Sequence, residues 1–384
     1  MSKIYLLSTS EIKINALESL HIADLDNIVC VGIDYLLSIG EIKLNNETTS
    51  QLPPQPIGYD GGLQCACKRI ELFKQLVGKL NTTNQLIKDF DPCYDMIISI
   101  ENFIVPETRK DVCCVVLELN NIVTYAYSPD IVDGEGTIIC NPTYPQEYVC
   151  ELGEVLDYGE LKGYAVTMGK IINKHHNSIK HNDWSEHFGD VNRCKQIMFA
   201  YSKINKIDFI KNFIRIVPDH PQPNILFSDL TPLFANVILK QMVFEIMLTK
   251  LFEHIGDLKI DYVVGLDARG FIVGSVMAEK LNAGFVTIRK AGKLGGSDCH
   301  TVQYGKEYGK DSFEIVGTIM KPNKNILIID DIIATGGTFL GAKILCDKFN
   351  PNNVFALAVC EIIECKNIAK EKLGKFYENT IVCF

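Results

Sequence analysis

Asn325-Ile326-Leu327-Ile328-Ile329-Asp330-Asp331-Ile332-Ile333-Ala334-Thr335-Gly336-Gly337-Thr338 constrains the fold of this chain more than any other stretch. Ile326 to Ile329 is a short continuous apolar run, the pattern of a parallel strand buried on both faces. Asp330 and Asp331 fall where that strand is expected to end. Ala334 to Thr338 is a small, glycine-bearing turn that leads into a helical segment, Phe339 to Phe349. Ligands of open α/β sheets bind at such carboxyl ends of strands. The turn offers backbone N–H groups, two threonine hydroxyls and a helix N-terminus, which together suit a phosphate monoester. The acids suit either of two tasks: accepting hydrogen bonds from a ribose diol, or sitting near a magnesium ion. A tight turn before a capped helix, with no ligand, is the competing reading. The paired acids directly before Thr-Gly-Gly-Thr weigh against it.

At 384 residues the chain is long enough for one large or two ordinary domains. Its 47% hydrophobic and 22% charged residues are those of a soluble globular protein. A net charge of −9 argues against non-specific nucleic-acid binding, though local groups can still hold anionic substrates. No apolar run reaches membrane-spanning length and no secretory signal opens the sequence, so no membrane partner is expected. The 14 cysteines show no paired Cys-x-x-Cys zinc pattern, and several, such as Cys346, Cys360 and Cys383, lie in apolar runs. Buried reduced thiols and a cytoplasmic location are the expectation. His175, His176, His181 and His187 sit in a polar, lysine-bearing stretch and read as a solvated loop rather than a metal site.

In the first half, Ile4 to Leu7 reads as a strand running into Ser8-Thr9-Ser10-Glu11-Ile12-Lys13 and a helix. Thr9 or Ser10 can cap that helix, and its exposed N–H groups with Lys13 can receive phosphate. A strand is expected near Val29 to Ile33 and a helix from about Gly62 to Val77. Tyr94 to Glu101 reads as a strand ending in an acid, and Val112 to Tyr127 as a hairpin around Asn120-Asn121. Leu7 to Lys13, Gln55-Pro56-Ile57-Gly58, Ser99-Ile100-Glu101 and Asn192-Arg193 resemble, in order, the inosine/xanthosine triphosphatase family. The resemblance implies a mixed α/β nucleotide-phosphatase-like domain over residues 1–203, with a purine nucleoside triphosphate as its ligand. Asp60-Gly61-Gly62 stands where that family carries Glu-Glu-Thr, and Asn102-Phe103 where it carries small residues. Hydrolysis assisted by magnesium needs carboxylates, and Asp60 and Glu101 remain as the metal candidates. An inactive nucleotide-binding or packing domain is the alternative to a pyrophosphohydrolase.

In the second half, a helix around Asp208 to Ile214 precedes Ile225-Leu226-Phe227-Ser228-Asp229-Leu230-Thr231-Pro232 and a long apolar helix. Tyr262 to Leu266 reads as a strand followed by Asp267-Ala268-Arg269-Gly270 and a helix to about Leu281. Here Gly270 permits close backbone approach and Arg269 brings a fixed donor fork. A strand from Phe285 to Ile288 leads into Arg289-Lys290-Ala291-Gly292-Lys293, cations suited to a diphosphate at a strand end. Gly295 to Asp311 is polar and glycine-rich and is expected to be a mobile loop. Val354 to Cys360 and Ile381 to Phe384 complete the strands. Strands alternating with helices imply a mostly parallel sheet.

These motifs resemble adenine phosphoribosyltransferase, across essentially all of residues 204–384. The resemblance implies a type I phosphoribosyltransferase fold with a flexible hood carrying Tyr304-Gly305-Lys306-Glu307-Tyr308-Gly309. It further implies transfer of 5-phosphoribose from phosphoribosyl diphosphate (PRPP) to adenine, giving AMP and diphosphate with magnesium. Leu226 and Phe227 would wall the base, with Asp267, Ala268 and Arg269 touching base and diphosphate. Arg289 and Lys293 would hold the diphosphate, and Ala334, Thr335, Gly336, Gly337 and Thr338 the 5-phosphate. Asp330 and Asp331 would hold the ribose hydroxyls. Glu307 would approach the base or leaving-group side on closure, and Tyr308 would shield it. Ser228 departs from the basic residue usual there. The resemblance also implies a homodimer, whose interface the extra first half could block or replace. A PRPP- or nucleotide-binding regulator without transferase activity is the alternative.

Overall fold

The structure, a computed structural model, describes residues 2–20, 27–32, 52–80, 87, 89–128, 131–132, 138–139, 141–176, 192–220, 223, 226–295, 298–306 and 309–384. It divides into one unit of residues 1–212 with 235–238, and a second of residues 213–234 with 239–384.

The first unit runs β1 (Ile4–Leu6), α1 (Glu11–Ser19), β2 (Ile28–Cys30), β3 (Gln55–Pro56), α2 (Gly58–Leu80), β4 (Met96–Val105), β5 (Lys110–Leu119), β6 (Ile122–Tyr127), β7 (Ile131–Val132) and β8 (Ile138–Ile139). It continues through α3 (Gln146–Cys150), β9 (Leu156–Tyr158), β10 (Leu161–Tyr164), α4 (Met168–His175), α5 (Arg193–Ser202) and α6 (Lys206–Lys211). Its main sheet has the order β2-β1-β4-β5-β6. The β1 pairings are parallel and the β4-β5-β6 pairings antiparallel, so the sheet is mixed. The hairpin expected at Asn120-Asn121 is there, with φ of 51° and 61°. Positive φ at both turn residues matches the twist of the paired strands. The helix α2 packs its apolar face on β4 and β5 around Phe73 and Phe103. It approaches so closely that a Cβ on Gly62 would lie 2.1 Å from the Phe103 ring. The two departures noted in the sequence, glycine at 62 and phenylalanine at 103, thus fill one space.

The second unit runs β11 (Arg215–Val217), β12 (Phe227–Asp229), α7 (Thr231–Ala235), α8 (Val237–Ile255), β13 (Tyr262–Leu266), α9 (Arg269–Lys280), β14 (Gly284–Lys290), β15 (Cys299–Lys306) and β16 (Gly309–Val316). Then follow β17 (Asn325–Ile333), α10 (Gly337–Asp347), β18 (Asn353–Glu361), α11 (Lys366–Leu373) and β19 (Thr380–Val382). Its sheet order is β15-β16-β14-β13-β17-β18-β19. Every pairing from β14 to β19 is parallel. Ile326, Leu327, Ile328 and Ile329 are fully buried. Burial of each such side chain is worth about 1.5–3 kcal/mol, which fixes β17 as the centre of the sheet.

Two expectations are revised. The strand β17 does not end before the acids: its ladder with β13 stops at Ile329, but its ladder with β18 continues to Ile333. Asp330 and Asp331 therefore sit at a strand end on one side only. Gly295 to Asp311, expected as a mobile loop, carries much of a hairpin, β15 paired with β16, and β16 pairs in turn with β14. Buried Phe313 and Ile315 anchor that ribbon in the sheet core, a hold its glycines and polar residues concealed.

Candidate active site

Three neighbouring strand ends, those of β14, β13 and β17, carry the candidate side chains. At the β13 end the Asp267–Ala268 peptide is cis and Ala268 precedes the first turn of α9. That turn brings Arg269 Nε to 3.0 Å from Asp331 Oδ2. The contact is an ion pair without hydrogen-bond alignment, since Asp331 Oδ2 is buried and no hydrogen bond reaches it among the described residues. A buried carboxylate oxygen without a donor is costly, and a ligand hydroxyl or a cation would relieve that cost. Asp331 is 2% exposed. Its backbone N–H donates to Asp330 Oδ1 at 2.9 Å.

Burial, then the neighbouring Asp331 charge, pushes Asp330 well above the usual carboxylate range. Burial also raises Asp331, and the Arg269 guanidinium opposes that rise.

On the other face of Arg269, its guanidinium carbon lies 5.5 Å from the centre of the Phe227 ring. Phe227 is half-buried, and Leu226 beside it is exposed. An apolar ring, a guanidinium and an acid pair thus follow one another within the second unit. Such a series can flank a flat base joined to a sugar.

At the β14 end, Arg289 Nε lies 3.4 Å from Asp267 Oδ2. Past it, the turn bearing Lys293 is held by a residue that sequence reasoning missed. The Glu314 carboxylate accepts hydrogen bonds from the backbone N–H groups of Lys293 at 2.7 Å and Leu294 at 2.5 Å. The Leu294 bond contributes most to holding its carboxyl below the usual range. Glu314 pairs in register with Arg289 across β14 and β16. Nothing in Phe313-Glu314-Ile315 announces this, because the bonding partners are backbone groups twenty residues earlier.

The cradle Ala334 to Thr338 joins β17 to α10. Gly336 has φ +77°, and a Cβ there would meet the Leu373 side chain of α11 at 3.1 Å. That φ is one few L side chains adopt. Gly336 has no side chain with which to cap α10, and among the described residues no side-chain hydrogen bond to its first N–H groups is seen, an arrangement suited to an anion. Glu307 and Tyr308, the hood residues of the sequence reading, lie outside the described residues.

No three acid, histidine or cysteine side chains converge as metal ligands among the described residues.

In the first unit, a cavity of about 230 Å³ is lined by residues that include Ser10, Lys13, Gln55, Glu101, Asp111 and Arg193. Glu101 is in place, bonded to Arg69 Nε at 2.6 Å. Asp60 lies in the first turn of α2 and does not line the cavity, so the two metal candidates are not brought together there. Asp111 was missed by sequence reasoning. Its partner Arg193 arrives from 82 residues away and binds both carboxylate oxygens, at 2.6 and 3.1 Å. Among the histidines, His175 bonds Glu151 and His176 bonds Tyr148; His181 and His187 lie outside the described residues.

The family model of the phosphoribosyl transferase domain matches residues 236–379. The adenine phosphoribosyltransferase of Paraburkholderia phytofirmans is 41% identical over 165 residues, 43% of this chain and 85% of that protein. That of Kluyveromyces lactis is 43% identical over 167 residues, 44% of this chain and 89% of that protein. The solved adenine phosphoribosyltransferase of Saccharomyces cerevisiae, with 36% identity, is covered over 98% of its length by 47% of this chain, at a TM-score of 0.44. The second unit is accordingly a phosphoribosyltransferase. The chain belongs to the adenine phosphoribosyltransferase family. No helix among the described residues is long and apolar enough to cross a membrane.

Proposed function

We propose that the second unit transfers 5-phosphoribose from PRPP to adenine, giving AMP and diphosphate. The observation that carries this reading is the buried, donor-less Asp331 Oδ2 beside Arg269, one residue from the raised Asp330 and one contact from Phe227. The relatives of known name point to adenine as the base. The reaction places positive charge on the ribose ring as diphosphate leaves, so the protein's task is positioning and charge stabilisation. Asp330 and Asp331 hold the ribose hydroxyls and favour that charge, and the N–H groups of Ala334 to Thr338 hold the 5-phosphate. Arg289 and Lys293 hold the departing diphosphate, while Phe227 and Leu226 flank the base. Asp330 or Asp331 would be the protein carboxylate near a magnesium ion brought with PRPP, which would neutralise charge on the leaving diphosphate. Glu307 acts from the hood on the base or leaving-group side, and Tyr308 shields it. Turnover of adenine, guanine and hypoxanthine with PRPP tests the base choice. Adenine is expected to react fastest by a wide margin, and equal rates for guanine or hypoxanthine would remove the adenine assignment.

A second reading concerns the first unit, which we infer to hold a purine nucleoside triphosphate by its phosphates. The observation favouring it is that the four segments resembling the inosine/xanthosine triphosphatase family each supply a residue to one cavity: Lys13, Gln55, Glu101 and Arg193. Inosine triphosphate is expected to raise the melting temperature of the full chain, and less so in Lys13→Met. No difference between the two chains would end this reading.

A further inference from the structure

Among the described residues, the first-unit cavity is lined by two cations, Lys13 and Arg193, and two acids, Glu101 and Asp111. Two helices of eight or more residues point their N-termini at it: α1, through Ser10 and Lys13, and α4, through Thr167 and Gly169. Neither N-cap side chain, Ser10 or Thr167, caps its own helix, while the first N–H of α4, that of Met168, donates to Gln55 Oε1 at 3.1 Å. Their first N–H groups and dipoles favour an anion. The Thr167 hydroxyl oxygen is buried and lacks a hydrogen-bond partner among the described residues, although Thr167 lines the cavity. Lys13 lines it as well, its Nζ donating to the Ile100 carbonyl at 2.5 Å. Burial of that amine lowers its pKa, opposed first by Glu101.

The acids of the cavity are already engaged. Glu101, 8% exposed, is paired with Arg69. Asp111, 1% exposed, accepts both arms of Arg193, the Asn102 amide at 3.0 Å and the Tyr144 hydroxyl. Among the described residues, each of the two acids lining the cavity has its own arginine, Arg69 for Glu101 and Arg193 for Asp111, and Lys13 is a further cation there. A magnesium ion entering there would have to displace a charge-assisted bond and sit among like charges. No further acid can be supplied at position 62, where the Phe103 ring occupies the side-chain space. Size points the same way. Pockets for drug-sized ligands run to about 300–1,000 Å³, and about 230 Å³ suits a phosphate or diphosphate group with any nucleoside left outside.

We propose that this cavity is a metal-independent site for a phosphate or diphosphate group, one that binds its ligand and does not hydrolyse it. The proposal rests on the reading of the cavity as a phosphate site, and it adds the absence of metal and of chemistry. A bound phosphate meets Lys13, the Thr167 hydroxyl and the two helix N-termini, while Arg69 and Arg193 keep the acids from repelling it.

Calorimetric titration of inorganic diphosphate and of inosine triphosphate into the full chain, with EDTA, tests it. Wild type is expected to show a binding component that Lys13→Met weakens at least tenfold and Lys13→Arg largely retains. Lys13 is outside the transferase machinery, so AMP formation reports whether Lys13→Met is folded; Thr167→Val serves in its place if it is not. Identical isotherms for wild type and variant would remove the phosphate site itself. A component that appears only when magnesium replaces EDTA would leave the site standing and overturn its metal independence. Incubation of inosine triphosphate with magnesium and without PRPP is expected to release no diphosphate, and release that depends on Lys13 would overturn the absence of hydrolysis. A response to the triphosphate but not to free diphosphate would identify a nucleotide tail as the source of the bound group.

Discussion

Gly270 leaves no room for a side chain against Asp330: a Cβ built on it would lie 3.1 Å from Asp330 Oδ1 and 2.6 Å from the Ile329 carbonyl oxygen. The close approach of α9 to β17 is what brings Arg269 onto Asp331. Gly270→Ala is therefore expected to lower stability by about 1–3 kcal/mol, as overpacking against backbone does. It should also lower kcat/KM for PRPP more than tenfold. Thermal denaturation and initial-rate kinetics on the same preparation check both; a fully active, stable variant would mean that α9 shifts freely.

Asp330 predicts an unusual pH dependence. Its folded pKa is raised by burial and by Asp331 above the unfolded value of about 3.9. The stability linked to its proton is fully present below that unfolded value and is lost as pH rises through the folded one. Asp330→Asn removes the loss. The variant is expected to gain melting temperature over wild type progressively as pH rises above about 4 while losing most of its activity. A difference that does not change with pH would show that Asp330 ionises normally.

Glu314 touches no substrate in this account and acts by holding the turn that carries Lys293. Glu314→Ala is expected to raise KM for PRPP by roughly tenfold, matching the loss of one or two charge-assisted bonds, with a smaller change in kcat. Glu314→Gln, which keeps an acceptor, should recover part of that loss. Equal falls in kcat and kcat/KM at constant KM would instead indicate a role in the transition state. The carboxyl is held low chiefly by the Leu294 N–H. Its stabilisation is therefore present above the unfolded glutamate pKa of about 4.3 and is lost as pH falls through the folded value.

Phe227 should matter to the base and not to the sugar. Stacking of a base on an aromatic ring is worth about 1–3 kcal/mol, so Phe227→Ala is expected to raise KM for adenine roughly five- to 150-fold and leave PRPP binding nearly unchanged. The exposed Leu226 should show a much smaller effect on substitution by alanine. Steady-state kinetics with each substrate varied in turn separates the two.

What the sequence disclosed follows from how local each signal is. The run Ile326 to Ile329 and the Thr-Gly-Gly-Thr turn are contiguous, so strand, acids and cradle could be read directly, and the pairing of Asn120 with Asn121 announced its hairpin. Glu314 and Asp111 escaped because each is defined by partners distant in sequence: backbone N–H groups at 293–294 for one, Arg193 for the other. The β15–β16 ribbon was hidden because glycines and polar residues outnumber its two core anchors, Phe313 and Ile315. Asp60 is the acid that remains in its motif, and its place on the first turn of α2 goes with the packing of Gly62 on Phe103, a contact between residues far apart in the chain.

The central claim is that the strand end at Asp330 and Asp331, with the glycine cradle after it, grips PRPP for chemistry. Its most direct test is the rate of AMP formation from adenine, PRPP and magnesium by the full chain, measured beside the shift in melting temperature that PRPP alone produces. Turnover is expected together with a clear shift, and both are expected to be lost in a chain carrying Asp330→Ala and Asp331→Ala. A clear shift without AMP would contradict the claim and leave a PRPP-binding regulator in place of an enzyme.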